Sequence, residues 1–286
     1  MPTDALLAAK REFAVTRLRE AGRILVALSG GVDSAVLLAL AIEAVGPDRV
    51  LAVTGRSPAV PEAEIEDARR VAARLGARHE VVQTFEMDRP GYRANAGDRC
   101  YHCRSELFDV FAELASSRGF EACAYGAIAD DLGDDRPGMR AATERGVLAP
   151  LLEANLGKEE VRRLAAEAGL PVQDKPAAAC LASRIPAGTR VDPGRLRSVG
   201  EAEAALKCLG FRHVRVRHHG EIGRLETDDA GFLLLQDPEL RRGAVNAVRD
   251  AGFRFVALDL EGYRSGGVSR PGTSLLGIGP APESGQ

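Results

Sequence analysis

The segment RILVALSGGVDS, residues 23–34, constrains the chain more than any other stretch. Residues 23–28 form a short, largely apolar run, the pattern of a strand buried on both faces. The run passes directly into Gly30 and Gly31, and a helical pattern follows over residues 35–44. Two glycines let the backbone turn tightly and bring its N–H groups close to a ligand. The helix adds its N-terminal donors and the positive end of its dipole. Ser29 and Ser34 add hydroxyls, so the segment reads as a nest for pyrophosphate. No lysine follows the glycines, which excludes a Walker-type loop. Ala27, Ser29, Gly30, Gly31, Asp33 and Ser34 are the nucleotide-site candidates, with Asp33 a ligand for the magnesium that accompanies ATP. The rival reading is an ordinary glycine-rich βα turn with a Ser or Asp cap.

The first half of the chain repeats this alternation. Strands are expected over residues 49–54, 79–83, 121–125 and, shorter, 147–148, and helices over 62–75, 101–118 and 158–168. Strand–helix alternation implies a parallel sheet with helices on both faces and ligands at the carboxyl ends of its strands. Residues 170–190 carry three prolines and no clear periodicity, as an ordered functional loop or a linker would. Beyond them, helices are expected over 193–209 and 238–251, and strands over 213–219, 221–226 and 253–260. The fold class is α/β, a parallel-sheet domain with a smaller α+β C-terminal domain. Four parts follow: a nucleotide domain over 1–170, a cysteine-bearing loop over 171–192, the α+β part over 193–264, and a Gly-, Pro- and Ser-rich tail over 265–286 that is expected to be flexible.

At 286 residues the length suggests about two domains. A net charge of −3 shows no global basic field, so nucleic acid is not an expected partner. No run of eighteen apolar residues occurs, and the N-terminus lacks a signal-peptide core. A cytoplasmic location without a membrane partner is the expectation.

Five cysteines, an odd number, argue against a disulfide framework. Cys100 and Cys103 form a CxxC at a helix start, a position that favours thiolates. Cys180 lies in the irregular loop. Three thiolates fall short of a closed four-ligand zinc site, but on a cubane cluster they would leave one iron open to bind an extra sulfide. Unliganded core cysteines, a structural zinc with a histidine, and a redox CxxC are the competing readings. Cys123 and Cys208 read as packing residues.

SGGVDS resembles the PP-loop of the ATP-pyrophosphatase superfamily, in which ATP is cut between the α and β phosphates. By that resemblance Val53 and Thr54 flank the adenine and Gly126 lines the nucleotide pocket. The segments GDRCYHCRSELF, YGAIADDLGDDRPG, LPVQDKPAAACLASRIPAGT, HVRVRHHGEIGRLE and DLEGYRSG narrow the resemblance to the LarE-type sulfur transferases of nickel-pincer nucleotide synthesis. The implied substrate is a pyridinium mononucleotide with two carboxylates, and the implied cofactors are ATP, Mg2+ and a 4Fe–4S cluster. Within that family the sulfur comes either from the cysteine matching Cys180 or from a cluster held by Cys100, Cys103 and Cys180. Three cysteines at those positions fit the cluster version. A homo-oligomer is also implied.

Arg215 and Arg217 lie two apart on an expected strand and so share a face. A guanidinium fork suits phosphate and carboxylate, which makes them candidates for the substrate phosphate, with Arg184 a third. A solvated strand face is the alternative. Lys175 either neutralises polyphosphate or is an exposed loop lysine without a role, and Asp130 and Asp131 either assist magnesium or cap a turn. His218 and His219 read as strand or turn residues. A tRNA-thiolating PP-loop enzyme is the rival function, and a non-catalytic nucleotide-binding module a second.

Overall fold

The N-terminal helical pattern folds as α1 (Asp4–Glu20) and the apolar run after it as β1 (Ile24–Ala27). The structure, a computed structural model, describes residues 4–133, 137–175 and 179–263. Then come α2 (Val32–Val45), β2 (Val50–Arg56), α3 (Glu62–Arg74), β3 (Arg78–Gln83), α4 (Pro90–Ala94), α5 (Arg99–Arg118), β4 (Ala122–Ala124), α6 (Pro137–Glu144), α7 (Pro150–Glu153) and α8 (Lys158–Glu167). The second half supplies α9 (Pro193–Cys208), β5 (Val214–His219), β6 (Ile222–Thr227), α10 (Asp229–Leu234), α11 (Pro238–Asp250) and β7 (Phe255–Leu258).

The first sheet is parallel, in the order β3-β2-β1-β4. Successive side chains of a strand point to opposite faces. Ile24 and Val26 of β1, with Val50 and Ala52 of β2, enter one core shared with α1, α2 and α8. Leu25, Leu51 and Val53 enter another, against Phe108 and Phe111 of α5. Both faces are covered, which is why these strands are apolar without alternation. The strand expected at 147–148 reduces to one parallel bridge between Ala124 and Leu148. Pro150 opens α7 two residues later and leaves no length for a ladder.

The second sheet runs β5-β6-β7, with β5 and β6 antiparallel across Gly220 and β6 and β7 parallel. It packs with α9 and α11 around Leu196, Val199, Val216 and Val248. This core also takes in Ala59 and Tyr92 from the first half, and Leu181, Ala182, Ile185 and Val191 from the proline-bearing loop. The loop is therefore packed between the two halves, with a short 3₁₀ turn over Leu181–Arg184. The expected tail over 265–286 lies outside the described residues.

Gly126, just past β4, shows how tightly the parallel sheet seats its loops. A Cβ there would lie 2.8 Å from the Ser34 nitrogen and 2.9 Å from the Asp33 carbonyl carbon. Gly126→Ala is predicted to cost about 1–3 kcal/mol, as overpacking does, and to weaken ATP binding through the displaced loop. Denaturant unfolding and a nucleotide titration check this; no change in either would refute the contact.

Candidate active site

At the carboxyl end of β1 the chain continues one residue in sheet fashion, Leu28 N–H donating to the Val53 carbonyl at 2.8 Å. It then turns. Gly30 has φ +76°, and a Cβ on it would lie 2.4 Å from the Glu64 carbonyl oxygen of α3. Only glycine meets both conditions. The Ser34 hydroxyl accepts from Ser29 N–H (3.1 Å) and donates to the Gly31 carbonyl (3.0 Å), and the two serine hydroxyls lie 3.1 Å apart. The turn is thus braced before any ligand arrives. No side chain caps the N-terminus of α2, which leaves its first turn to receive an anion.

Asp33 sits in that first turn. Both its oxygens accept from Lys158 Nζ, at 2.9 and 2.8 Å. Burial raises its carboxyl above the usual range; Lys158 opposes this, and Asp131 and Asp130 add to it. Asp130 Oδ2 accepts the Lys158 backbone N–H at 2.8 Å, and Asp131 Oδ2 accepts that of Ile128 at 3.1 Å, so both aspartates brace backbone turns. Lys158 was not singled out in the sequence, because nothing local ties the start of α8 to a residue 125 positions earlier.

The other nucleotide candidates are placed around this turn. Ala27 closes β1. Val53 and Thr54 are buried, and the Thr54 hydroxyl donates to the Leu28 carbonyl (2.6 Å) and meets His79 Nε2 (2.8 Å). Burial, with Arg69 assisting and Glu80 opposing, holds the His79 pKa below the ordinary histidine value. Lys175, the polyphosphate candidate, is engaged within the protein rather than exposed on its loop. Its ammonium is taken by Glu64 (2.7 Å), Asp67 (2.5 Å) and the Gly30 carbonyl (3.0 Å). It fastens the start of the proline-bearing loop to the phosphate turn.

Cys180 precedes the 3₁₀ turn and is held from several sides. Leu181 N–H donates to the Ala59 carbonyl (2.9 Å), and Arg99 to the Ala182 carbonyl (2.7 Å). Asn95 Nδ2 donates to the carbonyls of Pro186 (2.8 Å) and Thr189 (3.0 Å). Arg184 reaches the carbonyls of Ala179 (2.8 Å) and Cys180 (3.3 Å) and pairs with Glu203 at 2.8 and 3.1 Å. Glu203 carried a sequence signal: it occupies the apolar stripe of Leu196, Val199 and Leu206 on α9, where a carboxylate needs a buried partner.

The CxxC departs from its sequence reading. Cys100 is exposed, whereas Cys103 faces inward and packs with Cys180 against the second core. Burial, then the charges of Cys180 and Glu86, push the Cys103 thiol well above its ordinary range. The helix-terminus effect acts within the first turn and does not offset desolvation one turn further in. His102 Nε2 meets Asp98 at 3.1 Å. Among the described residues, no three His, Cys, Asp or Glu side chains are gathered closely enough to hold a metal ion. Cys123 is half-buried in β4 and its thiol is pushed up to about 11 by burial. Cys208, expected to pack, is exposed at the end of α9.

Arg215 and Arg217 are both buried. Arg217 pairs with Glu226 (2.9 Å) and donates to the Ser183 carbonyl (2.7 Å). The Arg215 guanidinium lies 4.5 Å over the Tyr263 ring and donates to its hydroxyl at 3.1 Å. Burial lowers the Arg215 pKa; Tyr263 opposes this, and Arg184 and Arg217 add to it. Three guanidiniums therefore converge beside the Cys180 turn. His218 and His219 complete β5 as strand residues.

Comparison with known proteins places this geometry. The NAD synthase family model matches residues 11–104, which hold the phosphate turn and the CxxC. An uncharacterized protein of Synechocystis sp. is 43% identical over 252 residues, 88% of this chain and 93% of its own. The pyridinium-3,5-bisthiocarboxylic acid mononucleotide synthase of Lactiplantibacillus plantarum is 35% identical over 265 residues, 92% of this chain and 94% of its own. The chain belongs to the LarE family. It is an ATP-dependent sulfur transferase of the PP-loop type. The tRNA-specific 2-thiouridylase of Saccharopolyspora erythraea is 33% identical over 192 residues, but across only 54% of this chain and 52% of its own. The similarity to the first two relatives thus extends over most of this LarE protein, whereas that to the thiouridylase covers about half of it. None of its described helices is long and apolar enough to cross a membrane.

Two outcomes follow from the site. Glu203→Ala leaves Arg184 buried without its partner and is predicted to cost about 3–5 kcal/mol, with faster hydrogen exchange over residues 180–184; wild-type protection there would refute the anchoring. Cys123, protonated until about pH 11, is predicted to alkylate slowly at pH 8 while exposed Cys208 reacts. Peptide mass spectrometry across pH would show the Cys123 rate rising toward pH 11, and a rate saturating near pH 8 would refute its burial.

Proposed function

We propose that this LarE protein adenylates one carboxylate of a pyridinium biscarboxylate mononucleotide and then converts it to a thiocarboxylate. The observation that carries this reading is the physical tie between the PP-loop and the Cys180 loop through Lys175, which bonds the Gly30 carbonyl. The activity for which the Lactiplantibacillus relative is named supplies the substrate class. A carboxylate oxygen attacks the α-phosphorus of ATP, the bond to the β-phosphate oxygen breaks, and pyrophosphate leaves. A sulfur nucleophile then attacks the carbonyl carbon, the bond to the AMP oxygen breaks, and AMP leaves. Adenylation is needed because a carboxylate is a poor electrophile.

The residues have distinct tasks. Ser29, Gly30, Gly31 and Ser34, with the open first turn of α2, take the pyrophosphate. Asp33 already binds a cation, Lys158, and faces two further aspartates. Such hard oxygen donors fit Mg2+; Asp33 would hold the ion, which would supply positive charge against the polyphosphate. Arg184, Arg215 and Arg217 form a buried cationic cluster, and an anion relieves its internal repulsion. Arg215 and Arg217 are assigned to the substrate phosphate. Most of the Arg184 donors go to protein acceptors, so its part is to hold Cys180 in place.

Thiols at 100, 103 and 180 fit a 4Fe–4S cluster in number and in chemistry, with the inward-facing Cys103 and Cys180 packed on one core. Bound there, such a cluster would supply a sulfide from its fourth iron. The other route within the same site uses Cys180 itself. Its sulfur attacks the carbonyl, a base then takes the Cα proton, and cleavage of the Cβ–Sγ bond leaves dehydroalanine and the thiocarboxylate.

Iron and acid-labile sulfide in protein purified without oxygen test the choice, with a Cys100/Cys103/Cys180 triple alanine control. About four of each per chain, absent from the control, is the expected result. No iron in an iron-replete preparation would leave Cys180 as the sacrificial donor, visible by mass as dehydroalanine. A Cys100→Ala variant with full multiple-turnover activity would also reject the cluster route. Absence of pyrophosphate release with any carboxylate substrate would overturn the reading as a whole.

A further inference from the structure

Tyr92 lies on α4, 1% exposed, among the apolar residues of the second core. Its hydroxyl oxygen is buried and has no hydrogen-bond partner among the described residues. Burying a hydroxyl unpaired is destabilising, and phenylalanine would fill the same space without that penalty. Its neighbours make the position informative. Cys103 and Cys180 pack against the same core. Both lie close enough that negative charge on either acts on the phenol, adding to the burial that raises its pKa, while Arg99 opposes. Glu86, 2% exposed, faces both Tyr92 and Cys103. Even so, the hydroxyl is not bonded to that carboxylate. A buried donor that shares its core with two thiols, and is bonded to neither, has its acceptor in a group that arrives there.

We propose that the Tyr92 hydroxyl donates a hydrogen bond to the anionic sulfur handled at Cys103 and Cys180. This rests on the sulfur-donor site described above. The sulfur is either a sulfide of a bound cluster or the Cys180 sulfur as its Cβ–Sγ bond breaks, and a phenol stabilises negative charge on both. The core around Tyr92 excludes water, so no solvent donor replaces it. Tyr92 is thereby a positioning residue for sulfur and takes no part in adenylation.

Tyr92→Phe in the full chain tests this. Its unfolding midpoint should equal or exceed that of wild type, because an unpaired hydroxyl is removed; a lower midpoint would reveal a structural partner and overturn the proposal. Pyrophosphate release should stay within about twofold of wild type, while thiocarboxylate formation falls about tenfold. Equal losses in both steps, or no loss in either, would overturn it. A readout without turnover uses ferrous iron and inorganic sulfide as probes. After anaerobic loading and gel filtration, the variant should lose acid-labile sulfide about five- to tenfold faster than wild type, and equal retention would overturn the proposal. If wild type takes up no sulfide, the cluster route fails on its own account. The proposal is then decided by mass in a single turnover: conversion of Cys180 to dehydroalanine should be about tenfold slower in the variant, and equal rates would overturn it. A wild type that shows neither loading nor conversion would sink the sulfur-donor reading itself.

Discussion

Two-sided burial of β1 and β2 is the constraint on which the rest of the molecule depends. Their odd and even side chains enter different cores, so neither strand can slip by one residue without exchanging every contact. That fixes where β1 ends and therefore where the PP-loop turns. The turn is then locked from outside: Gly30 abuts the Glu64 carbonyl, and Gly126 abuts the backbone of Asp33 and Ser34. Phosphate recognition here is a matter of backbone geometry, and the sheet is what holds that backbone still.

The Cys180 loop meets the same need by other means. It has little regular structure, so its position comes from side chains that reach in from elsewhere. Arg99 and Asn95 hold it from the α4–α5 region, Glu203 of α9 pairs with its Arg184, Arg217 reaches it from β5, and its own Lys175 ties it to the PP-loop. The Arg184–Glu203 pair is buried on both sides. Such a pair adds little net stability over apolar packing, but losing one partner is costly, so it specifies one arrangement strongly. A sulfur-transfer reaction needs that definition, because reaction rates fall steeply with misplacement of about an ångström.

The charges of the site are paired internally before ligands arrive. Lys158 neutralises Asp33, Glu203 and Glu226 neutralise Arg184 and Arg217, and burial keeps Cys103 protonated. The Tyr92 hydroxyl is the part of the sulfur site that lacks such an internal partner among the described residues.

The sequence by itself determined the α/β class, the PP-loop, the strands and the longer helices, but not the short α4, α6, α7 and α10, because the former follow from local periodicity and from glycines with specific backbone duties. Residues 23–34 carried most of that information in one stretch. Spacing along β5 placed Arg215 and Arg217 on one face, whereas Glu203, an acidic residue in an apolar stripe, went unread. Tertiary structure alone decided the partners. Lys158 meets Asp33, and Lys175 turns from the phosphates to Glu64 and Asp67. Cys103 is driven to the neutral thiol although a helix start favours the anion, and Cys208 faces solvent. The physical reason is common to all four: charge state and pairing depend on desolvation and on side chains distant in the chain, and neither leaves a periodic trace in the sequence.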